Sequence, residues 1–202
     1  MSPRPRTITD ADILAAAGKT IVRLGPAKLT LADVARDAGL APATLVQRFG
    51  SKRGLLLALS RAALDDVEPC FARTRAARRS PLAALIAAAT DMTQYVTSPE
   101  QLANALAFLQ VDLSDPDFSA VAAENSRRML AGYRRLLDEA VAAGELVPCN
   151  TARLARTVSA IASGSLLCWA LMRQKAADKW VKADLMTLLD PYRKNRGARS
   201  SG

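Results

Sequence analysis

Histidine is absent from the 202 residues. That removes Ser/His/Asp and Cys/His catalysis and the usual mixed zinc ligand sets, all of which need imidazole. Cysteine is scarce: Cys70, Cys149 and Cys168 are odd in number, far apart and without a CxxC pair, which argues against a disulfide framework or a thiolate metal cluster. Such a set suits a reducing interior. Aromatic residues make up only 4%, and no unbroken apolar run approaches the roughly 18 residues of a membrane span. Arg4 and Arg6 are followed by no apolar leader segment. These absences describe a cytoplasmic protein with no metal, no cofactor and no membrane partner, and they leave little from which to build an enzyme.

What is present is helix-forming. Half the residues are hydrophobic and 23% are charged, enough apolar chain for an ordinary core without staples. Ala and Leu dominate, and apolar residues recur at three- and four-residue spacing, so the expected fold class is all-α, with about nine helices. Thr9 to Asp12 and Thr30 to Asp33 both have the spacing of a capping box. The first would open a helix carrying Ile13, Leu14, Ala17, Ile21 and Leu24 and stopping at Gly25; the second a short helix ending at Gly39. A third short helix follows from Pro42 to Phe49. A fourth runs from Ser51 and should kink or end near Glu68, because Pro69 lacks the N–H the next turn needs. Ser80-Pro81, Ser98-Pro99 and Asp115-Pro116 each set a capping side chain before proline at the first helical position. The resulting helices are expected at 81–97, 99–111, 116–143, 151–176 from a cap at Asn150, and 178–193.

Charge is unevenly placed. Residues 1–60 hold nine Lys/Arg against four Asp/Glu, residues 61–192 hold fifteen against fifteen, and 193–202 hold four against none. A basic N-terminal quarter on a neutral body suggests one small module facing a polyanion and a larger body with another task. The expected division is 1–66 for the module, with 1–7 a disordered basic arm, 67–193 for the body and 194–202 for a basic disordered tail. The basic stretch 73–80 is a candidate boundary.

Two short helices joined by a tight turn need a small residue at their crossing, a residue tolerant of positive φ in the turn, and an apolar anchor on the second helix. Ala35, Gly39 and Leu45 supply these in order. At 100° per residue Leu45 and Phe49 fall together toward the core, which leaves Gln47 nearly opposite, Ala43 and Thr44 beside it, and Val46 and Arg48 on the flanks. A small polar face of this kind suits entry into a major groove, where Gln47 could pair with adenine and Arg48 with guanine or a phosphate. Phosphates call for cations and helix N-termini. Lys28, Thr30, Pro42, Ser51 and Lys52 sit where such anchoring is needed, and the arm with Arg4 and Arg6 could reach a neighbouring minor groove.

The run TLADVARDAGLAPATLVQRFGSKRGLL resembles the DNA-binding domain of TetR-family transcriptional regulators, through Thr30, Ala35, Gly39, Thr44, Leu45, Phe49, Lys52 and Leu55. The likeness extends over about residues 8–66, and the segment from Asp115 to Leu146 is similar to the C-terminal domains of many members. Two positions depart from the family's pattern. Val46 stands where members usually carry a tyrosine touching phosphate, and Ala41 where a serine often caps the reading helix. One lost hydroxyl contact is worth about 1 kcal/mol, a weakening rather than a loss.

The resemblance implies an N-terminal helix-turn-helix domain joined to a helical-bundle domain that binds a small effector and dimerises through its last two long helices. It implies a homodimeric repressor of double-stranded DNA, reading a near-palindromic operator and released by an effector. The residues permit this. Leu154, Val158, Ile161, Ala162, Ser165, Leu166 and Trp169 recur at helical spacing with small residues between, and Trp180, Leu185, Met186, Leu188 and Leu189 give the last helix an apolar face. The larger or softer apolar residues of the central helices are Met92, Tyr95, Phe108, Phe118, Met129, Tyr133, Cys168, Trp169 and Met172. With few polar handles among them, the expected effector is small and mostly apolar. The alternatives are a ligand-independent or architectural DNA binder, an enzyme on a regulator's scaffold, and a membrane-surface protein.

Overall fold

The computed structural model describes residues 8–91, 93, 96–173 and 176–194. The expected arm, most of the tail, Met92 and Tyr95 lie outside them. Nine α-helices occur among the described residues: α1 Asp10–Lys28, α2 Leu31–Ala38, α3 Pro42–Phe49, α4 Lys52–Ala76, α5 Pro81–Asp91, α6 Pro99–Ser114, α7 Pro116–Ala142, α8 Thr151–Met172 and α9 Ala177–Leu189. Extended pairing among these residues is a single isolated bridge between Leu146 and Arg193. The fold is all-α. The chain divides into two compact units, Met1–Asp65 with Glu100–Glu124, and Asp66–Pro99 with Asn125–Gly202. Residues 100–124, assigned to the body from sequence, thus cluster with the N-terminal module.

In the first unit both capping boxes form. Asp12 N donates to Thr9 Oγ1 at 3.2 Å while Thr9 N donates to Asp12 Oδ2 at 2.9 Å, and Thr30 and Asp33 exchange the same pair at 3.1 Å each. α1 buries Ile13, Ala17 and Ile21 along one stripe. Gly25 breaks it at φ 76°, as its place in the sequence suggests, yet the chain coils for one further turn to Lys28. Pro26 makes that turn possible, because its fixed φ is already helical and its missing N–H falls where a new turn has no partner to offer. Ile13, Ala17, Leu29, Val34, Ala35, Leu45 and Leu55 are fully buried and form one core with Phe118.

α1 and α2 are also tied by charge. The buried Thr20 donates its hydroxyl to Asp37 Oδ2 at 2.7 Å, and Arg23 donates to the same oxygen at 2.5 Å. The Thr20 hydroxyl first, and the Arg23 guanidinium with it, hold the Asp37 carboxyl below the usual carboxylate range. A depressed folded pKa contributes stability that is complete above the unfolded value, about pH 4, and is lost as pH falls through the folded one. Thr20→Val should therefore lower the melting temperature at neutral pH, and the gap to wild type should shrink as the pH is brought below about 3. A gap independent of pH across thermal melts would show that Asp37 is not what Thr20 serves.

In the second unit Ser80 caps α5 by accepting from Ala83 N at 3.0 Å, and Glu145 accepts from Leu82 N at 2.8 Å and from the Ser80 hydroxyl at 2.9 Å. Asn150 caps α8, accepting from Arg153 N at 2.9 Å. α5 packs on α8 and α9. Several expected boundaries are corrected. α4 does not end near Glu68 but continues through Pro69 to Ala76, because Val67, Phe71 and Thr74 are buried along it and that burial outweighs the roughly 3 kcal/mol a mid-helix proline costs. α5 stops at Asp91 rather than 97; the Thr90 and Thr93 hydroxyls there donate to backbone carbonyls, the local competition that discourages continued helix. α6 runs three residues further, to Ser114, and α8 ends at Met172, where Arg173 turns left-handed at φ 55°. α8 is also long and apolar enough, by length and composition, to cross a membrane. Arg153 and Arg156 interrupt its first turns, so it holds no unbroken apolar run of that length. Its Leu154, Val158, Leu166 and Trp169 are buried in this unit.

Candidate nucleic-acid interface

α3 is built to show one side outward. Pro42 opens it, Gly50 closes it at φ 73°, and Leu45 is completely buried beneath it. Ala41 provides no side-chain cap. Pro42, Ala43, Val46 and Gln47 are exposed, and Thr44 and Phe49 are half-buried. α2 meets α3 through Gly39 in the left-handed region at φ 69°, where Leu40 N donates back to Ala35 O at 2.8 Å. The turn needs positive φ at this residue, and glycine adopts it without cost.

Two of the cations expected at DNA, Arg48 and Lys52, are held by the protein itself. Arg48 Nη1 lies 3.0 Å from Ile8 O and 3.0 Å from Asp10 Oδ1, at the start of α1. Lys52 Nζ donates to Ala27 O at 3.0 Å, at the far end of the same helix. Thr30 spends its hydroxyl on the α2 cap, and Ser51 accepts from Gly54 N at 3.1 Å, capping α4. Lys28 is exposed in the last turn of α1. Sequence reasoning passed over Arg53, which forks onto Asp115 at 2.9 and 3.0 Å and reaches Asp117 at 2.7 Å, 5.7 Å above the Phe118 ring. It also missed Asn104 of α6, whose amide donates to Val22 O at 2.9 Å beside the break at Gly25. Partners more than sixty residues away leave no periodic signal.

The residues expected around an effector are divided between the two units. Phe118 is 1% exposed in the core of the N-terminal unit, with Phe108 edge-on to it at 6.1 Å between ring centroids. Tyr133 belongs to the other unit, edge-on to Phe71 at 5.3 Å, and burial pushes its hydroxyl pKa upward. Trp169 is buried, Met129 half-buried, and Cys168 and Met172 are exposed. An open groove of about 610 Å³ in the second unit is lined by Glu68, Pro69, Phe71, Ala72, Arg75, Ala76 and Arg135, none of them in the expected set. Among the described residues no group of three or more acidic or cysteine side chains could hold a metal.

A buried anchor, a left-handed glycine turn and an exposed second helix define the helix-turn-helix class of DNA-binding proteins. Residues 13–59 match the family model described as bacterial regulatory proteins, tetR family. The chain is 32% identical over 170 residues to the HTH-type transcriptional regulator BetI of Burkholderia thailandensis, covering 82% of this chain and 84% of that one. Its fold is similar to a TetR-family transcriptional regulator from Cytophaga hutchinsonii, at a TM-score of 0.71 and 15% identity over 96% of this chain and 98% of the other. It is also similar to the regulator FadR of Bacillus subtilis in complex with stearoyl-CoA, at 0.65 and 15% over 89% and 97%. The chain belongs to the TetR family: it is a DNA-binding transcriptional regulator, of a class that regulates rather than catalyses.

Proposed function

We propose that two copies of this chain bind a near-palindromic operator as a repressor and leave it when a small, mostly apolar effector binds. The observation that carries the DNA-reading part is the exposed side of α3, with Gln47 on it, standing directly over the fully buried Leu45. Gln47, Ala43 and Thr44 face base edges; Pro42, Thr30, Ser51, Lys28 and Lys52 face phosphates. Arg48 joins them only by releasing Asp10. For pairing, α8 offers Ala160, Ser163, Gly164, Leu167 and Leu171 on one exposed face, small and apolar as close helix packing requires. A single short helix reads only a few base pairs, so two heads related by a twofold axis supply the specificity. The effector part is supported by the similar fold that carries stearoyl-CoA and by the buried polar residues of the second unit, which among the described residues are the uncharged Thr74, Thr93 and Ser165.

The test is selection of bound fragments from random duplex DNA by the full chain. Inverted half-sites are expected. Gln47→Ala should relax preference at one position per half-site and weaken binding about tenfold, the loss of one bidentate pair. Lys52→Gln should weaken all sites alike and reduce the salt slope by about one. Purified protein that ignores every duplex ends the proposal. Absence of thermal stabilisation by any lipophilic compound would leave a DNA binder whose body only pairs subunits.

A further inference from the structure

The surface that α3 turns to solvent is wider than the polar face opposite Leu45 and Phe49, for it takes in Pro42 and Val46 as well. On one flank Thr44 is half-buried, and the exposed Arg48 is drawn to Ile8 O and Asp10. On the other flank Pro42 is exposed and Val46 is 50% exposed. On that side the open surface runs from Pro42 through Val46 and Ala43 to Gln47. These residues are three or four apart, so they adjoin on the helix surface. Three of the four side chains have no donor or acceptor. The core beneath is closed without Val46, since Leu45 and Leu55 are both fully buried.

A major groove offers such a surface one complementary group. Base edges there are donors and acceptors, with a single apolar exception: the C5 methyl of thymine. A valine pressed against an amino or carbonyl edge would strip it of water and return no hydrogen bond; against a methyl it gains apolar burial. Resting on the DNA-reading function proposed above, we infer that Val46, with Ala43 beside it, is a specificity-determining residue that packs on a pyrimidine C5 methyl in each half-site, next to the pair read by Gln47. 5-Methylcytosine displays the same methyl and would be recognised through it.

Deoxyuridine differs from thymidine by that methyl alone, which makes the test direct. Each thymine of the selected operator is replaced singly by uracil, and affinity is measured for the full-length wild type and for Val46→Ala. One position per half-site is expected where uracil weakens the wild type about fourfold, the worth of one buried methyl-sized group, while Val46→Ala binds both bases equally. At that position 5-methylcytosine should bind the wild type about fourfold better than cytosine, with no difference for Val46→Ala. Because Val46 is half exposed, the variant should melt as the wild type does; Val46→Thr, which keeps one methyl, should restore part of the thymine preference. An operator bound normally with no position that separates wild type from Val46→Ala overturns the methyl assignment and leaves the DNA-reading proposal standing. Failure to bind any duplex overturns both.

Discussion

Phe71→Ala is expected to lower the free energy of unfolding by about 3–5 kcal/mol, a large part of the roughly 5–15 kcal/mol a domain possesses. Phe71 is 3% exposed and meets Tyr133 edge-on, with the ring planes at 79°. Its other neighbour is an absence. α7 carries Gly132 where the ring lies, and a Cβ at that position would collide with the ring edge. Gly132→Ala should therefore be destabilising as well, by about 1–3 kcal/mol or more, since neither a buried ring nor a helix backbone can move cheaply. This loss runs against the propensity scale, on which alanine in a helix gains about 1 kcal/mol over glycine. Combining Gly132→Ala with Phe71→Leu separates the two effects. A smaller side chain opposite the new methyl should make the double variant more stable than the two single losses predict, a coupling expected only between groups in contact. Denaturant unfolding of the four proteins decides it. Strict additivity, or a stabilising Gly132→Ala, would refute the collision.

Gly132 also marks the limit of what the sequence discloses. Glycine inside a helix is ordinarily a weak point, and only the ring packed on Gly132 gives a reason for it. The same division runs through the whole chain. Features set by neighbours in sequence were legible: the boxes at Thr9 and Thr30, the left-handed turn at Gly39, the caps at Ser80 and Asn150, and the core side of α3 at Leu45 and Phe49. Their causes lie within four residues, so a short window contains the physics. What was not legible depends on partners far along the chain. Pro69 looks like a stop until Val67 and Phe71 are seen to be buried on either side of it. Phe118 joins the core of the N-terminal unit, with Phe108 packed against it, through contacts that no short window contains. Arg48 donates a hydrogen bond to Asp10, thirty-eight residues earlier, which periodicity does not announce. A helical wheel shows which way a side chain leaves the axis, not which surface waits there.

Gly164→Arg is expected to leave the chain folded and to abolish tight operator binding. Nothing lies within 4 Å of the position a Cβ would take on Gly164, and Leu167 and Leu171 on the same face are 46% and 75% exposed. Within one chain the substitution thus meets no obstacle, and arginine in a helix gains up to about 1 kcal/mol over glycine. Between two chains the outcome reverses. A twofold interface is self-complementary, so a residue near its axis faces its own copy, and one substitution places two cations in a seam that needs small apolar groups. The variant should sediment as a monomer with unchanged helicity. Its affinity for a single half-site should match the wild type, and its affinity for the full operator should fall by about 10²–10⁴, the factor that linking two binding modules supplies. Leu167→Arg should behave alike, one helical turn further on. If Gly164→Arg still pairs and holds the operator, the exposed face of α8 is not the seam, and the second head must be positioned by another surface. If it becomes a monomer and the operator affinity does not change, one reading head suffices, and the requirement for inverted half-sites falls with it.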